Sequence, residues 1–277
     1  MDMDAPNGGI ERVGKRQSTE DSRGELILTG IRSLDQKLGM ELATRRGLPQ
    51  GSFILVSYPS GTVIPTLFIQ RILLNWAQKT SDNVIFYVHS SRPYEHVKNS
   101  FQAYNWDVEP YEGKNWFFEN MFDLSSSSMT SALKLGKIEV KRKTYVNRIL
   151  DRMLHVKESQ KKHCFSVFDD LLWMKEDGLD EDANDLISFI RSTIMSFTKI
   201  GGVHFFLLPQ GVLEPVAERI IMNAAQGIFH FTRNTVGSRI KDTFAITKLM
   251  GVAFVSENLD LTPSEAEGFK IESTAKI

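Results

Sequence analysis

The sequence Phe53-Ile-Leu-Val-Ser57, with the loop and helix that follow it, decides the fold. Its uninterrupted apolar run is typical of a β-strand that is buried on both faces of a sheet. The turn signal Gly47-Leu-Pro-Gln-Gly51 precedes it. A helix is predicted from about Pro65, because proline is favoured in the first helical turn and apolar residues then repeat with helical period. Those apolar residues are Leu67, Phe68, Ile72 and Leu73.

Apolar strands and amphipathic helices continue to alternate along the chain. The predicted strands are 84–88, 116–118, 165–168 and 203–208, and the predicted helices are 94–104, 145–154, 186–198 and 214–223. Strands of this kind alternating with helices predict an α/β fold, with a mainly parallel sheet covered by helices on both faces. Residues 227–233 and 239–249, joined by a short turn, predict a C-terminal antiparallel hairpin at the sheet edge.

The predicted domain organisation has three parts. Residues 1–24 are expected to be a disordered leader, because they are polar and almost without apolar side chains. Residues 25–260 are expected to form the folded domain. Residues 261–277 are expected to be a C-terminal segment, in which Phe269-Lys-Ile-Glu272 forms a closing strand before a tail.

Composition excludes several classes of protein. Thirty-three Lys and Arg residues against 34 Asp and Glu residues give a formal net charge of −1, so no global field attracts nucleic acid or an anionic membrane. The single cysteine, Cys164, excludes a disulfide framework and a cysteine-based zinc site, and the six histidines are scattered, so no metal site is expected. No apolar stretch is long enough to span a bilayer and no secretory leader is evident, so a cytoplasmic protein is expected.

The first strand, loop and helix resemble the Walker A region of RecA-superfamily ATPases, and more narrowly that of the KaiC-like group. The matching residues are Gly47-Leu-Pro-Gln-Gly51, Pro59 and Gly61-Thr62. The resemblance continues through Phe101, Trp106 and Asp107 and covers about residues 26–272. It implies a RecA-like P-loop NTPase core.

The phosphate-binding chemistry of that loop is absent. Its four motif positions, two Gly, a Lys and a Ser or Thr, are occupied by Tyr58, Val63, Ile64 and Pro65. The first two replacements put side chains where the backbone must approach phosphate, and the last two remove the charge and the Mg²⁺-binding hydroxyl. A tight turn into a buried helix is the favoured interpretation, with residual ATP and Mg²⁺ binding as the alternative; no cofactor is expected.

Other site positions implied by the resemblance are also changed. The glutamate pair that activates the attacking water in the family falls at Ser90-Ser91, and the place of the arginine finger after Lys248 is held by Met250. Asp169 follows the apolar strand 165–168 and matches the Walker B aspartate. Its alternative role is to cap the turn that follows the strand, with no metal involved.

Residues 134–162 form a basic stretch, with ten Lys or Arg residues against three acidic ones. The stretch could contact an acidic partner or the phosphates of nucleic acid, but a solvated helix face is favoured, because no aromatic residue except Tyr145 interleaves with the charges to stack on bases. The candidate interaction residues are Lys141, Arg142, Lys143, Arg148 and Arg152. The acidic loop 176–182 lacks the spacing of a calcium-binding loop and is expected to be a solvated helix entry.

Three functions remain open from the sequence. The favoured hypothesis is a non-hydrolysing regulatory or scaffold subunit, which binds a protein partner or like subunits in a head-to-tail RecA-type assembly. The first alternative is an atypical ATP-binding switch or ATPase. The second is a RecA-like DNA-repair paralogue that binds DNA through residues 134–162.

Overall fold

A computed structural model of the chain describes residues 25–39, 46–121, 142–236, 238–264 and 268–273. The predicted leader 1–24 and the end of the predicted tail lie outside these residues. The strands are β1 (Leu26–Ile27), β2 (Leu48–Pro49), β3 (Ser52–Tyr58), β4 (Asn83–His89), β5 (Trp116–Asn120), β6 (His163–Asp169), β7 (Val203–Pro209), β8 (Gly227–Val236), β9 (Arg239–Leu249), β10 (Leu259–Ser264) and β11 (Gly268–Ser273). The helices are α1 (Arg32–Lys37), α2 (Ile64–Lys79), α3 (Tyr94–Gln102), α4 (Arg142–Gln160), α5 (Leu172–Glu176), α6 (Ala183–Ile200) and α7 (Pro215–Ala224).

Nine of the described strands form one sheet in the order β11-β10-β9-β8-β3-β7-β6-β4-β5. The pairings from β8 through β5 are parallel, and those from β8 through β11 are antiparallel. The predicted α/β class, the parallel sheet and the antiparallel C-terminal hairpin are therefore confirmed. Strands β1 and β2 form a separate two-stranded pair.

The sheet is covered on both faces, as the continuous apolar strands require. Side chains alternate along β3, so that Ile54 and Val56 pack with α2 and α3 while Phe53 and Leu55 pack with α4, α6 and α7. All seven residues of β3 are buried, as are all seven of β4. Two hydrophobic cores, one on each face, result from this alternation.

The C-terminal part of the chain extends the sheet further than the sequence predicted. Strand β10 pairs with β9 on one side and with β11 on the other. The predicted closing strand 269–272 lies within β11, and the boundary drawn after residue 260 falls inside β10. Both strands add buried apolar side chains to the same core as α2.

The parallel strands end at one edge of the sheet, called here the carboxyl edge. In the sheet register, Tyr58 at the end of β3 lies opposite Pro209 of β7, and His89 at the end of β4 lies opposite Asp169 of β6. Ligands of open α/β sheets bind at such an edge. The fold therefore brings the positions predicted from the Walker A and Walker B segments to the same edge.

Candidate functional site

The β3–α2 corner holds the residues that correspond to the phosphate loop. Gly61 has φ 81°, and a Cβ atom added there would meet nothing within 4 Å. Helix α2 begins at Ile64, with Pro65 in its first turn, as the sequence predicted. Ile64 packs against the hydrophobic core, and Pro65 is buried. The two positions at which the Walker A motif has a lysine and a hydroxyl residue thus hold apolar side chains, packed at the start of the helix.

The remaining two replaced positions differ in exposure. Tyr58 is 6% exposed and packs in the core, while Val63 is 57% exposed. Burial, together with the nearby carboxylates of Asp169 and Asp170, raises the pKa of Tyr58 well above its ordinary value. Its phenol is therefore uncharged at neutral pH.

An arginine that the sequence analysis did not single out holds the phosphate loop. Strand β8 continues past the end of β3, and Arg233 donates to the Gly61 carbonyl oxygen at 3.2 Å and to Thr62 Oγ1 at 2.8 Å. Its Nε also donates to Asp242 Oδ1 at 2.8 Å, and this hydrogen bond raises the pKa of Arg233. No local sequence pattern predicts these contacts, because 171 residues separate Arg233 from Thr62.

The β6–α5 corner holds Asp169, whose side chain is 1% exposed. The Tyr87 hydroxyl donates to Asp169 Oδ2 at 2.8 Å, and the Arg92 guanidinium donates to the same oxygen in an ion pair. Among the described residues, Asp169 Oδ1 has no hydrogen-bond partner. The carboxylate that matches Walker B is therefore turned into the protein and bound by its own chain.

The serines at the place of the glutamate pair face the same corner. Ser90 Oγ donates to the Asp170 carbonyl oxygen at 3.2 Å, and Ser91 hydrogen-bonds the Asp170 side chain. Asp170, with φ 72°, accepts from the Leu172 amide at 2.8 Å. The alternative role of Asp169 as the cap of this turn is therefore wrong, because Asp169 points inward and Asp170 makes the capping hydrogen bond instead.

Burial around the Asp169 carboxylate shifts the pKa values of the two side chains that bind it. Burial raises the pKa of Tyr87 well above its ordinary value, and the charge on Asp169 raises it further. Burial alone would lower the pKa of Arg92, but Asp169 and Tyr87 outweigh it, so the pKa of Arg92 is raised. Tyr87 is thus a neutral hydrogen-bond donor and Arg92 a permanent cation.

Lys248 and Met250 are not brought to this edge. Leu249, between them, pairs with Gly227, which lies beside Ile54 near the start of β3. Lys248 Nζ donates to the Asn223 carbonyl oxygen at 2.9 Å, and Met250 is 58% exposed. Within one chain, these two positions therefore lie at the opposite end of the sheet from the phosphate loop.

The basic stretch and the acidic loop meet within the chain. Arg142 is 8% exposed and bonds Glu176 Oε2 at 2.6 Å and Asp177 Oδ1 at 3.4 Å. The solvated helix face predicted for this stretch therefore does not include Arg142, which lies at the start of α4 against the end of α5 and is a poor candidate for contact with a partner. Lys143 Nζ is 3.6 Å from Asp185 Oδ2, Arg152 pairs with Glu119, and Arg148 is exposed. Lys141 and residues 134–140 lie outside the described residues.

A cavity of about 540 Å³ opens beside the edge strand β5. Its walls come from β4, α3, β5, α4 and the turn before β5, so it lies outside the corner that holds the phosphate loop. No sequence pattern predicts this cavity, because its lining residues come from elements that are far apart in the chain. No group of three or more His, Cys, Asp and Glu residues suited to a metal ion occurs in the described part of the chain.

Comparison with known families decides the relationship. The family described as "ATPase: KaiC" matches residues 27–272. The chain belongs to the KaiC ATPase family. A solved structure of a KaiC-like protein from the hyperthermophilic archaeon Pyrococcus horikoshii OT3 is similar to this KaiC-family chain, with a TM-score of 0.62 and 14% sequence identity. The similarity covers 90% of this chain and 99% of the archaeal one, and it concerns the fold.

No curated protein matches this KaiC-family chain. None of its described helices is long and apolar enough to cross a bilayer.

Proposed function

We propose that this chain is a non-hydrolysing member of the KaiC family that acts as a regulatory or scaffold subunit through protein–protein interaction. The observation that carries the proposal is the β3–α2 corner. Ile64 supplies no charge to a β- or γ-phosphate, and Pro65 supplies neither an amide hydrogen nor a hydroxyl. Ile64 packs against the core and Pro65 is buried, and neither hydrocarbon side chain can supply those groups in any rotamer.

The two positions that match the family's water-activating glutamates also carry no carboxylate. Ser90 and Ser91 both bond to Asp170 or its backbone, and an unassisted hydroxyl is a poor base near neutral pH. The Asp170 carboxylate accepts a hydrogen bond from the Leu172 amide, and burial raises the pKa of Asp170. These contacts support a structural role for the two serines in the β6–α5 turn.

Exposed side chains at both ends of the sheet support an interaction role. Val63 at the carboxyl edge is 57% exposed and Met250 at the opposite end is 58% exposed. Two different surfaces at opposite ends of one subunit suit head-to-tail contact with like subunits, or contact with another protein. Arg148, exposed on α4, remains a candidate contact residue.

A nucleotide assay with a restored loop tests the loss of hydrolysis. We expect wild-type protein to show no Mg²⁺-dependent ATP hydrolysis and no saturable binding of a fluorescent ATP analogue up to millimolar concentration. The fourfold variant Tyr58→Gly, Val63→Gly, Ile64→Lys and Pro65→Thr should gain weak binding without turnover, since Ser90 and Ser91 remain. Turnover by the wild-type protein would contradict the proposal.

A second measurement tests the scaffold role. Pull-down from native lysate, followed by size measurement of the purified chain, should yield either a stoichiometric partner or a self-assembly. The variant Arg148→Glu should weaken that association, more so at low ionic strength, where screening is least. A chain that is monomeric and binds nothing would contradict the scaffold role.

Arg233 favours a second candidate function, an atypical phosphate-binding switch. Its side chain is 31% exposed, and the guanidinium lies within hydrogen-bond distance of Gly61 and Thr62, where a phosphate would approach. An arginine can bind phosphate oxygens in a bidentate manner. Saturable ATP binding that is lost in Arg233→Ala, but retained in the exposed-site control Arg219→Ala, would establish this function instead.

A further inference from the structure

The buried carboxylate of Asp169 has two donors from its own chain on one oxygen. In active P-loop NTPases the aspartate at this place holds Mg²⁺. Here the Tyr87 hydroxyl and the Arg92 guanidinium both donate to Oδ2, and the carboxylate is 1% exposed. A carboxylate removed from water to this extent requires a cation or several hydrogen bonds to remain charged.

We propose that the Arg92 guanidinium is the permanent counter-ion of Asp169. It takes the place of the divalent cation and keeps such a cation from binding at this corner. This inference rests on the proposed loss of hydrolysis, and it adds that an arginine stands in the place of the metal ion. The role of Asp169 is then to stabilise the fold at this corner.

The path of the chain explains how Arg92 reaches the carboxylate. His89 and Asp169 are partners in the register of β4 and β6, so a residue shortly after β4 lies close to the end of β6. His89 Nδ1 lies 2.9 Å from the Arg92 carbonyl oxygen, which ties the backbone at residue 92 to the end of β4. Pro93 then directs the chain into α3. The guanidinium is thus held over Asp169 by neighbouring elements on the same sheet.

The residues at this edge do not fit a divalent cation while Arg92 is in place. A permanent guanidinium charge bound to Oδ2 repels a second cation at the same carboxylate. Oδ1 alone remains without a partner among the described residues, and Pro65 lacks the hydroxyl that would complete a Mg²⁺ site with a nucleotide. This carboxyl edge therefore differs from an Mg²⁺ site in two ways, the arginine bound to Asp169 Oδ2 and the missing hydroxyl at Pro65.

Thermal unfolding with and without a divalent cation tests the proposal. Without nucleotide, the wild-type Tm should be the same in EDTA and in 10 mM MnCl₂. In EDTA, Arg92→Gln should lower the Tm by about 5–10 °C, because it leaves the buried carboxylate without a counter-ion. MnCl₂ should recover at least half of that loss, because the uncovered carboxylate then binds the cation.

Two further variants separate charge from hydrogen bonding. Arg92→Lys keeps the positive charge, so its Tm should stay insensitive to MnCl₂. Arg92→Gln combined with Asp169→Asn should lose the MnCl₂ effect, because the carboxylate is gone. Arg219→Gln, which removes an exposed arginine from α7, is the matched control and should behave as the wild type.

Direct Mn²⁺ binding, followed by electron paramagnetic resonance, keeps the test decisive if a variant fails to fold. Stoichiometric binding to the wild-type protein that Asp169→Asn abolishes would overturn the proposal. So would an Arg92→Gln protein whose Tm is unchanged, or lowered with no response to MnCl₂. ATP hydrolysis by the wild-type protein would overturn the proposed function. The metal-binding measurements are made without nucleotide, so they test the role of Arg92 independently of hydrolysis.

Discussion

The β3–α2 corner and the β6–α5 corner lie at the same edge of the sheet but differ in what stands at the positions of the family's ligand-binding residues. At the first, the charged and hydroxyl side chains are replaced by Ile64 and Pro65, and an exposed arginine, Arg233, holds the loop. At the second, Asp169 is kept and bound by the buried Tyr87 and by Arg92. A retained aspartate is therefore no sign of activity in this chain.

Burial decides how much each corner contributes to stability. The side chains of the Arg92–Asp169 pair are 31% and 1% exposed, and those of the Arg233–Asp242 pair are 31% and 16% exposed, so the two pairs differ in the burial of the carboxylate. Removing one member of a buried charge pair leaves the other without compensation, while an exposed pair is weakened by water and salt. The β6–α5 corner should therefore respond more strongly to substitution than the β3–α2 corner.

The largest effect is expected from Asp169→Ala. It leaves the Arg92 guanidinium and the Tyr87 hydroxyl without their acceptor, and it should lower the free energy of unfolding by about 3 kcal/mol. Urea denaturation measures this change, with Asp107→Ala, at an exposed turn, as the control. A loss below about 1 kcal/mol would show that Asp169 does not hold the corner together.

Tyr87→Phe should have the next largest effect. The phenol bridges Gln70, which donates to it at 3.0 Å, and Asp169, to which it donates at 2.8 Å. Leaving two buried partners unsatisfied should cost about 1–3 kcal/mol. A double-mutant cycle with Asp169→Asn measures the coupling between the two, and additive losses would contradict the contact as described.

Alkaline pH should weaken both corners, because the pKa values of Tyr58 and Tyr87 are raised by burial from an ordinary value of 10.0. In the unfolded chain both phenols ionise near pH 10, but in the folded chain they stay protonated to higher pH. Their contribution is complete below pH 10 and is lost above it, by up to about 1.4 kcal/mol per pH unit for each group. Denaturation at pH 9 and 11 should show a smaller loss for Tyr87→Phe than for the wild-type protein.

Sequence patterns predicted the sheet core well, because the strands buried on both faces are uniformly apolar. The run 203–208, for example, became Val203–Pro209. Strand β10 was not predicted as a strand. It alternates buried Leu259 and Leu261 with polar residues and includes Pro263, so it lacks the continuous apolar run of the central strands.

Spacing in the sequence predicted the places of three residues on the secondary structure but not their contacts. Ile64 and Pro65 lie at the start of a helix and Asp169 at the end of a strand, as their spacing from the apolar runs indicated. Arg92 and Arg233 were missed, because their partners lie 77 and 171 residues away in sequence and the contacts depend on sheet register. Arg142 was misjudged because a run of charges gives no sign that one of them is covered by a distant helix.

The smallest effect is expected from Arg233→Ala at the β3–α2 corner. Its partners are partly exposed, so the free energy of unfolding should fall by only about 0.2–1 kcal/mol. The loop should nevertheless lose the donors to the Gly61 carbonyl and Thr62, and the amides of residues 61–64 should exchange hydrogen faster while those of β6 do not change. If Arg233→Ala destabilises the protein as much as Asp169→Ala, burial does not separate the two corners.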